Sequence, residues 1–222
     1  MNLPASLFTE DWLWLANAAF AYFLYRAVLG APWRTLLANG IMVNALVGLL
    51  VGAFVFWQFN VGVRPGVNFH ILGSTLFMLM FGWHIATVSI TLVMVATWLR
   101  ADTGLLTLGM NGLLMIAIPV LFSDWLLRFS KRNLPKNLFL FVLFNGFVCG
   151  ALAIMLNASV TTLLLLGLSK YTWGEIQHHY LVATPILMLT EAFVTGMMIT
   201  AFTVFQPQAV MNFSDEEYIN GK

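Results

Sequence analysis

The side chains able to do chemistry are few, and most of them are imidazoles, amides or carboxylates set inside apolar sequence. His70 opens an apolar run directly after the loop QFNVGVRPGVNF, with Asn68 two residues before it. An imidazole there either bonds a carbonyl at a helix start or ligates a transition metal. His178 and His179 stand at the start of the last apolar stretch; helix neighbours point about 100° apart, so only one of them faces a given site. Glu191 lies about eleven residues, roughly 16 Å, into that stretch, and Thr184, Thr195 and Met198 share its face. A carboxylate at that depth serves as an ion ligand, a proton carrier or a latch between helices. Asn111, in TLGMNG, reads as glue between helices or as the partner that orients a ligand histidine. His84, in the middle of the 70–99 run, falls at a turn that keeps it away from His70.

Positioning such groups requires a membrane scaffold. Of the 222 residues, 60% are hydrophobic and 9% charged, with a mean hydropathy of +0.88. A soluble domain carries about 25% charged residues, so this chain reads as an all-α, polytopic bundle, a single transmembrane domain over 1–222. The apolar stretches are too long and too uniform for the alternating strands of a β-barrel. A net charge of +1 argues against a nucleic-acid surface. Cys149 alone offers neither an internal disulfide nor a thiolate cluster. GxxxxGK[ST] and GxGxxG are both missing, so the chain binds no nucleotide itself, and any ATP-driven transport draws on a partner. Without GxSxG or HExxH it is not expected to be an enzyme. The start MNLPASLFTEDWLW lacks the basic opening of a signal peptide, so Met1 is expected to be retained.

About twenty apolar residues cross a hydrocarbon core. Spans are expected near 11–30, 35–58, 70–81, 83–99, 104–127, 136–157 and 180–206, about seven in all, or six if 70–99 crosses once. Splitting that run at Gly82 avoids burying Trp83 at mid-depth, since tryptophan prefers the headgroup level. Seven spans with the N-terminus outside also put seven basic residues in the cytoplasm against three outside, the better match to the positive-inside bias. The expected location is the cell (inner) membrane, with a cytoplasmic C-terminus. Gly40, Asn44, Gly48 and Gly52 form a smooth stripe that faces inward or toward another subunit, with inward favoured; Gly146 and Gly150 form a GxxxG pair.

NFHILGSTLFMLMFGW followed by TGLLTLGMNGLLMIAIPVL resembles the CbiM-type cobalt/nickel uptake proteins, the membrane substrate-capture components of energy-coupling-factor transporters. ATPILMLTEAFVTGMMITAF resembles that family's last span, and the likeness covers roughly 70–207. The resemblance implies seven spans, an external N-terminus and metal site, a membrane coupling subunit, and cytoplasmic ATPase subunits. By this likeness His70 is the ligand histidine, Asn111 the asparagine of an LGAN-like segment, and Glu191 the last-span glutamate. In the family the chain begins Met-His, and its amine, second amide and second imidazole complete a square-planar nitrogen set. This chain has Asn2 instead. The Met1 amine and Asn2 amide remain donors; His178 or His179 replaces the missing imidazole, or the binding specificity has changed or been lost. The substrate implied is a divalent transition metal of the cobalt or nickel class, with Asn68, Asn111, Glu191, Thr184 and Thr195 forming a polar surround. Two other readings stay open: an accessory membrane protein that kept the fold without the metal site, and a proton-linked transporter using Glu191.

Overall fold

The computed structural model describes residues 3–58, 61–64, 67–69, 71–101, 105–168 and 171–219. Helix α1 (Glu10–Gly30) places Glu10 and Asp11 in its first turn, where acidic side chains favour the positive end of the helix dipole. It stops ahead of Pro32, which disfavours helical geometry in the residue before it. The short α2 (Trp33–Ala38) leads into α3 (Gly40–Gln58). Strands β1 (Val61–Arg64) and β2 (Val67–Phe69) form an antiparallel hairpin with Gly62 opposite Asn68. There follow α4 (Ser74–Ala101), α5 (Leu108–Asn133), α6 (Leu138–Gly167), α7 (Trp173–Ile176), α8 (Thr184–Phe205) and α9 (Asp215–Tyr218). Six of these, α1, α3, α4, α5, α6 and α8, are long and apolar enough to cross a membrane. The fold is therefore the expected helical membrane bundle.

Helix α4 is broken in the middle. Gly82 sits at φ +76° and ψ 163°, outside helical space and in a region essentially reserved for glycine. Three contacts fix the directions of the two halves. Asn39 Nδ2 donates to the Gln208 carbonyl, so the start of α3 lies beside the end of α8. His84 lies against Gly30, the last residue of α1. These residues define one end of the bundle, the tail end. Residues 83–101 run away from it: soon after Ala101, the Leu106 carbonyl accepts from Asn17, in the opposite half of α1. That opposite end, with Leu3 and α7, is the mouth end.

Residues 74–81 run toward the tail end, from Gly73 to the turn at Gly82, so the chain reverses there as the sequence suggests. The first half is much shorter than the expected 70–81 span, however. After the hairpin, residues 71–73 lie outside any helix, with Gly73 at φ +71°, and only eight residues, about 12 Å, are helical. None of these eight is more than 4% exposed, which makes this half-helix the centre of the core.

Small residues set the packing around it. At Gly150 an added Cβ would stand 3.2 Å from the Glu191 carbonyl, and at Gly146 only 2.7 Å from Ile199, so the GxxxG pair packs α6 on α8. The stripe on α3 behaves differently. Gly40, Gly48 and Gly52 have nothing within 4 Å of a built Cβ. Gly48 and Gly52 instead border an apolar groove of about 580 Å³ between α3, the half-helix and α8. The stripe thus faces open space rather than a packed helix. Asp124 and Arg128 form the expected local ion pair on α5.

Candidate functional site

Asn111 acts on the backbone near the amino terminus. The Leu3 amide donates to Asn111 Oδ1 at 2.8 Å, and Asn111 Nδ2 donates to the carbonyls of Leu3 and Thr107, each at 3.1 Å. One side-chain amide therefore pairs with both polar groups of a single residue, as a neighbouring strand would. Leu3 is buried among Leu13, Leu114 and Tyr180, so the segment is drawn into the bundle rather than laid on it.

Glu191 acts the same way on a second segment. The Leu72 amide donates to its Oε2 at 2.9 Å and the Gly73 amide to its Oε1 at 2.8 Å. Gly73 has φ +71°, a conformation glycine adopts at no steric cost, and it lets two successive amides turn toward one carboxylate. The carboxylate also stands at the amino end of the half-helix, where the dipole favours an anion. Of the three roles read for Glu191 in the sequence, its observed contacts are those of a latch.

The two held segments meet on one helix. Ser74 Oγ donates to the Met115 carbonyl at 3.0 Å, and Met115 lies four residues after Asn111 on α5. Asn111 and Met115 are thus separated by about 6 Å along the axis. Leu3 and Ser74 are held one helical turn apart, and the Thr75 and Ser123 hydroxyls, 2.9 Å apart, tie the half-helix to α5 about two turns deeper still.

Asn17 braces this stretch of α5 from the other side. Its Oδ1 accepts from the Gly109 amide at 2.8 Å and its Nδ2 donates to the Leu106 carbonyl at 2.7 Å. A Cβ on Gly109 would fall 2.3 Å from the Asn17 backbone, so glycine is what permits the approach.

Met1, Asn2 and His70 lie outside the described residues, as do the side chains of Asn68 and His179. Asn68 pairs in the hairpin through its backbone. His178 is exposed to the surroundings of the mouth end. Thr184 is buried and donates back to the Tyr180 carbonyl at 3.1 Å. Thr195 is buried, and its Oγ1 meets no hydrogen-bond partner among the described residues. His84 stacks on Trp83 at a centroid distance of 3.7 Å, at the tail end and away from the held segments, as expected. Among the described residues no three His, Cys, Asp or Glu side chains converge on one point.

Sequence reading missed Asn17, Ser74 and Asn212, all of which pair with distant backbone. For Asn17 and Ser74 the available signal was an uncharged amide or hydroxyl in otherwise apolar sequence, which in a low-dielectric interior must find a partner; Asn212, in a polar tail, carried none. No signal named the partner.

The sequence pattern of CbiM, described as the cobalt uptake substrate-specific transmembrane region, matches residues 2–209. Among curated proteins none matches closely enough to count. Two solved structures share the fold. A crystal structure of a truncated transition metal transporter aligns at TM-score 0.68 and 22% identity, covering 92% of this chain and 99% of that one. A crystal structure of a transition metal transporter aligns at the same TM-score and identity, covering 92% of this chain and 93% of that one.

Proposed function

Since the chain belongs to the CbiM family of cobalt-uptake transmembrane proteins, we propose that it is the substrate-capture subunit of an ATP-driven importer for a divalent metal of the cobalt or nickel class. One observation carries this reading: Asn111 and Met115, one turn apart on α5, hold the segments that lead to the only donors the resemblance assigns. Asn2 is one residue from the clamped Leu3, and His70 is two from the clamped Leu72. Since each residue spans at most about 3.6 Å, the held residues are within about 4 Å of Asn2 and about 7 Å of His70 along the backbone.

The metal would be taken by His70 and the backbone nitrogens of Met1 and Asn2, with His178 or His179 offering the imidazole that Asn2 lacks. Imidazole and amide nitrogens suit nickel, cobalt or copper by ligand type. Asn111 and Glu191 position these donors through the backbone. Asn68, Thr184 and Thr195 complete the polar surround.

The work of transport would come from a membrane coupling subunit and cytoplasmic ATPases, because the chain has no phosphate-binding loop of its own. Arg26, Arg34, Arg128, Lys131, Arg132 and Lys136 all belong to the tail half of the bundle. That excess supports a cytoplasmic tail end and an external mouth.

The test is metal content. Purified protein loaded with cobalt or nickel should retain near-stoichiometric metal, and His70→Ala should retain at least tenfold less, the usual loss when a ligand or its support is removed. An extension ahead of Met1 should cause a comparable loss if the amine is a donor. Background metal in the unaltered protein would overturn the reading in favour of an accessory protein that kept only the fold.

A further inference from the structure

The half-helix is gripped at both ends, and the second grip comes from the far end of the chain. The turn at Gly82 removes amides that a continuing helix would offer to the last carbonyls of residues 74–81. The C-terminal segment supplies substitutes. Asn212 Nδ2 donates to the Met78 carbonyl at 2.9 Å and the Leu79 carbonyl at 3.1 Å. The Met211 amide donates to the Met80 carbonyl at 2.7 Å.

This segment has its own seat. The rings of Phe213 and Tyr218 pack on Phe141 with centroids 5.1 and 4.9 Å away. Glu217 pairs with Lys136 at 3.0 Å and with Lys131 at 3.6 Å. Met211, Asn212, Phe213, Glu217 and Tyr218 all lie beyond the 2–209 stretch that the family pattern matches.

An isolated helix of eight residues is not stable on its own. This one has no exposed residue from which to fray, so its neighbours determine whether it stays in place. Asn212 and Met211 hold its carbonyl end, Glu191 holds the amides just ahead of its first turn, and Ser74 and Thr75 anchor it to α5.

We propose that residues 207–218 are a strap that positions Leu72 and Gly73 from the opposite end of the bundle. By fixing the carbonyl end of the half-helix, Asn212 keeps Leu72 and Gly73 seated on Glu191. Displacing the strap at the tail end shifts the half-helix as a unit and loosens the mouth. Its bearing on metal handling rests on the function proposed above; the mechanical coupling does not.

The experiment is amide hydrogen exchange on the full-length chain in nanodiscs without metal. Asn212→Ala should raise exchange of the peptide containing Leu72 and Gly73 by about tenfold, the loss of an ordinary buried hydrogen bond, while α1 and α6 stay unchanged. Glu217→Gln, which loosens the strap's seat without touching the half-helix, should raise the same peptide by a smaller factor. Faster exchange confined to residues 207–218, with Leu72 and Gly73 unaltered in both variants, would overturn the proposal. Cobalt dissociation is then compared between Asn212→Ala and the unaltered protein, with faster release expected in the variant. If the unaltered protein holds no cobalt, the proposed function fails, and the exchange data still decide the strap.

Discussion

A carboxylate buried at mid-bundle is costly unless donors meet it, and Glu191 is met by two backbone amides on a turn that glycine makes possible. A glutamine at this position keeps one accepting oxygen but turns an NH2 toward the other amide. Glu191→Gln is therefore expected to leave a buried donor unpaired, a loss of about 1–3 kcal/mol. In a chain of this size that lowers the melting temperature by several degrees, which thermal unfolding in detergent measures. A proton carrier would behave otherwise: its glutamine variant would keep its melting temperature and lose only pH-dependent flux. Asn111→Ala is the complementary case, because its bonds hold the Leu3 segment rather than the half-helix. It too leaves buried backbone groups unpaired and lowers the melting temperature, but metal affinity should fall about 10- to 100-fold in addition, as when other outer supports of a ligand are removed; titration calorimetry at a temperature where the variant is folded, beside a melting curve, separates the two.

Among the elements, α4 shows what the sequence made legible and what it concealed. A tryptophan and a glycine at the middle of a thirty-residue apolar run gave away the break, since Trp83 at mid-depth is out of place. The non-helical entry over residues 71–73 left no such mark, because a short apolar run reads alike as helix, strand or neither. The spans of α5 and α6 end later than the expected 127 and 157 for a related reason. Arg128, Lys131 and Arg132 lie within the last turns of α5, where cations suit the dipole. Asn157, Thr161 and Thr162 look like a span end but are buried against protein. Polarity marks an exit only where lipid is the neighbour. Gly82 offers a direct check on the break, as a Cβ there meets nothing within 4 Å. Gly82→Ala should cost about 1–3 kcal/mol through backbone conformation alone, whereas Gly40→Ala, equally open and with ordinary φ, should not destabilise; comparing the two melting curves isolates the turn.

At the scale of the whole molecule, one end of the chain reports on the other. Burial raises the Glu217 carboxyl, but the Lys136 hydrogen bond and the charges of Lys131 and Lys136 outweigh it and hold it below the usual carboxylate range. A depressed carboxyl contributes stability that is full above its unfolded value, about 4.3, and is lost as pH falls through the lower folded value. Protection of residues 207–218 should thus persist at neutral pH, weaken as the medium becomes strongly acidic, and weaken too in high salt. The effect stays within about 1 kcal/mol because the pairs are partly exposed, and hydrogen exchange across a pH series reads it. The helical membrane class was legible in advance, and Asn111 and Glu191 stood out as polar groups in apolar sequence with their roles left open. The partners of the latches were not legible, since contacts spanning more than a hundred residues leave no local pattern.

The half-helix also constrains how the protein is made. Residues 71–81 descend through the bundle as three non-helical residues and a short helix, and lipid cannot solvate the non-helical backbone. Their stabilising partners include Glu191, Met211 and Asn212, which the ribosome delivers only after α4, α5 and α6 have been made. This pass must therefore settle last, after the other spans are already inserted, and a nascent chain halted before α8 will have no place to put it.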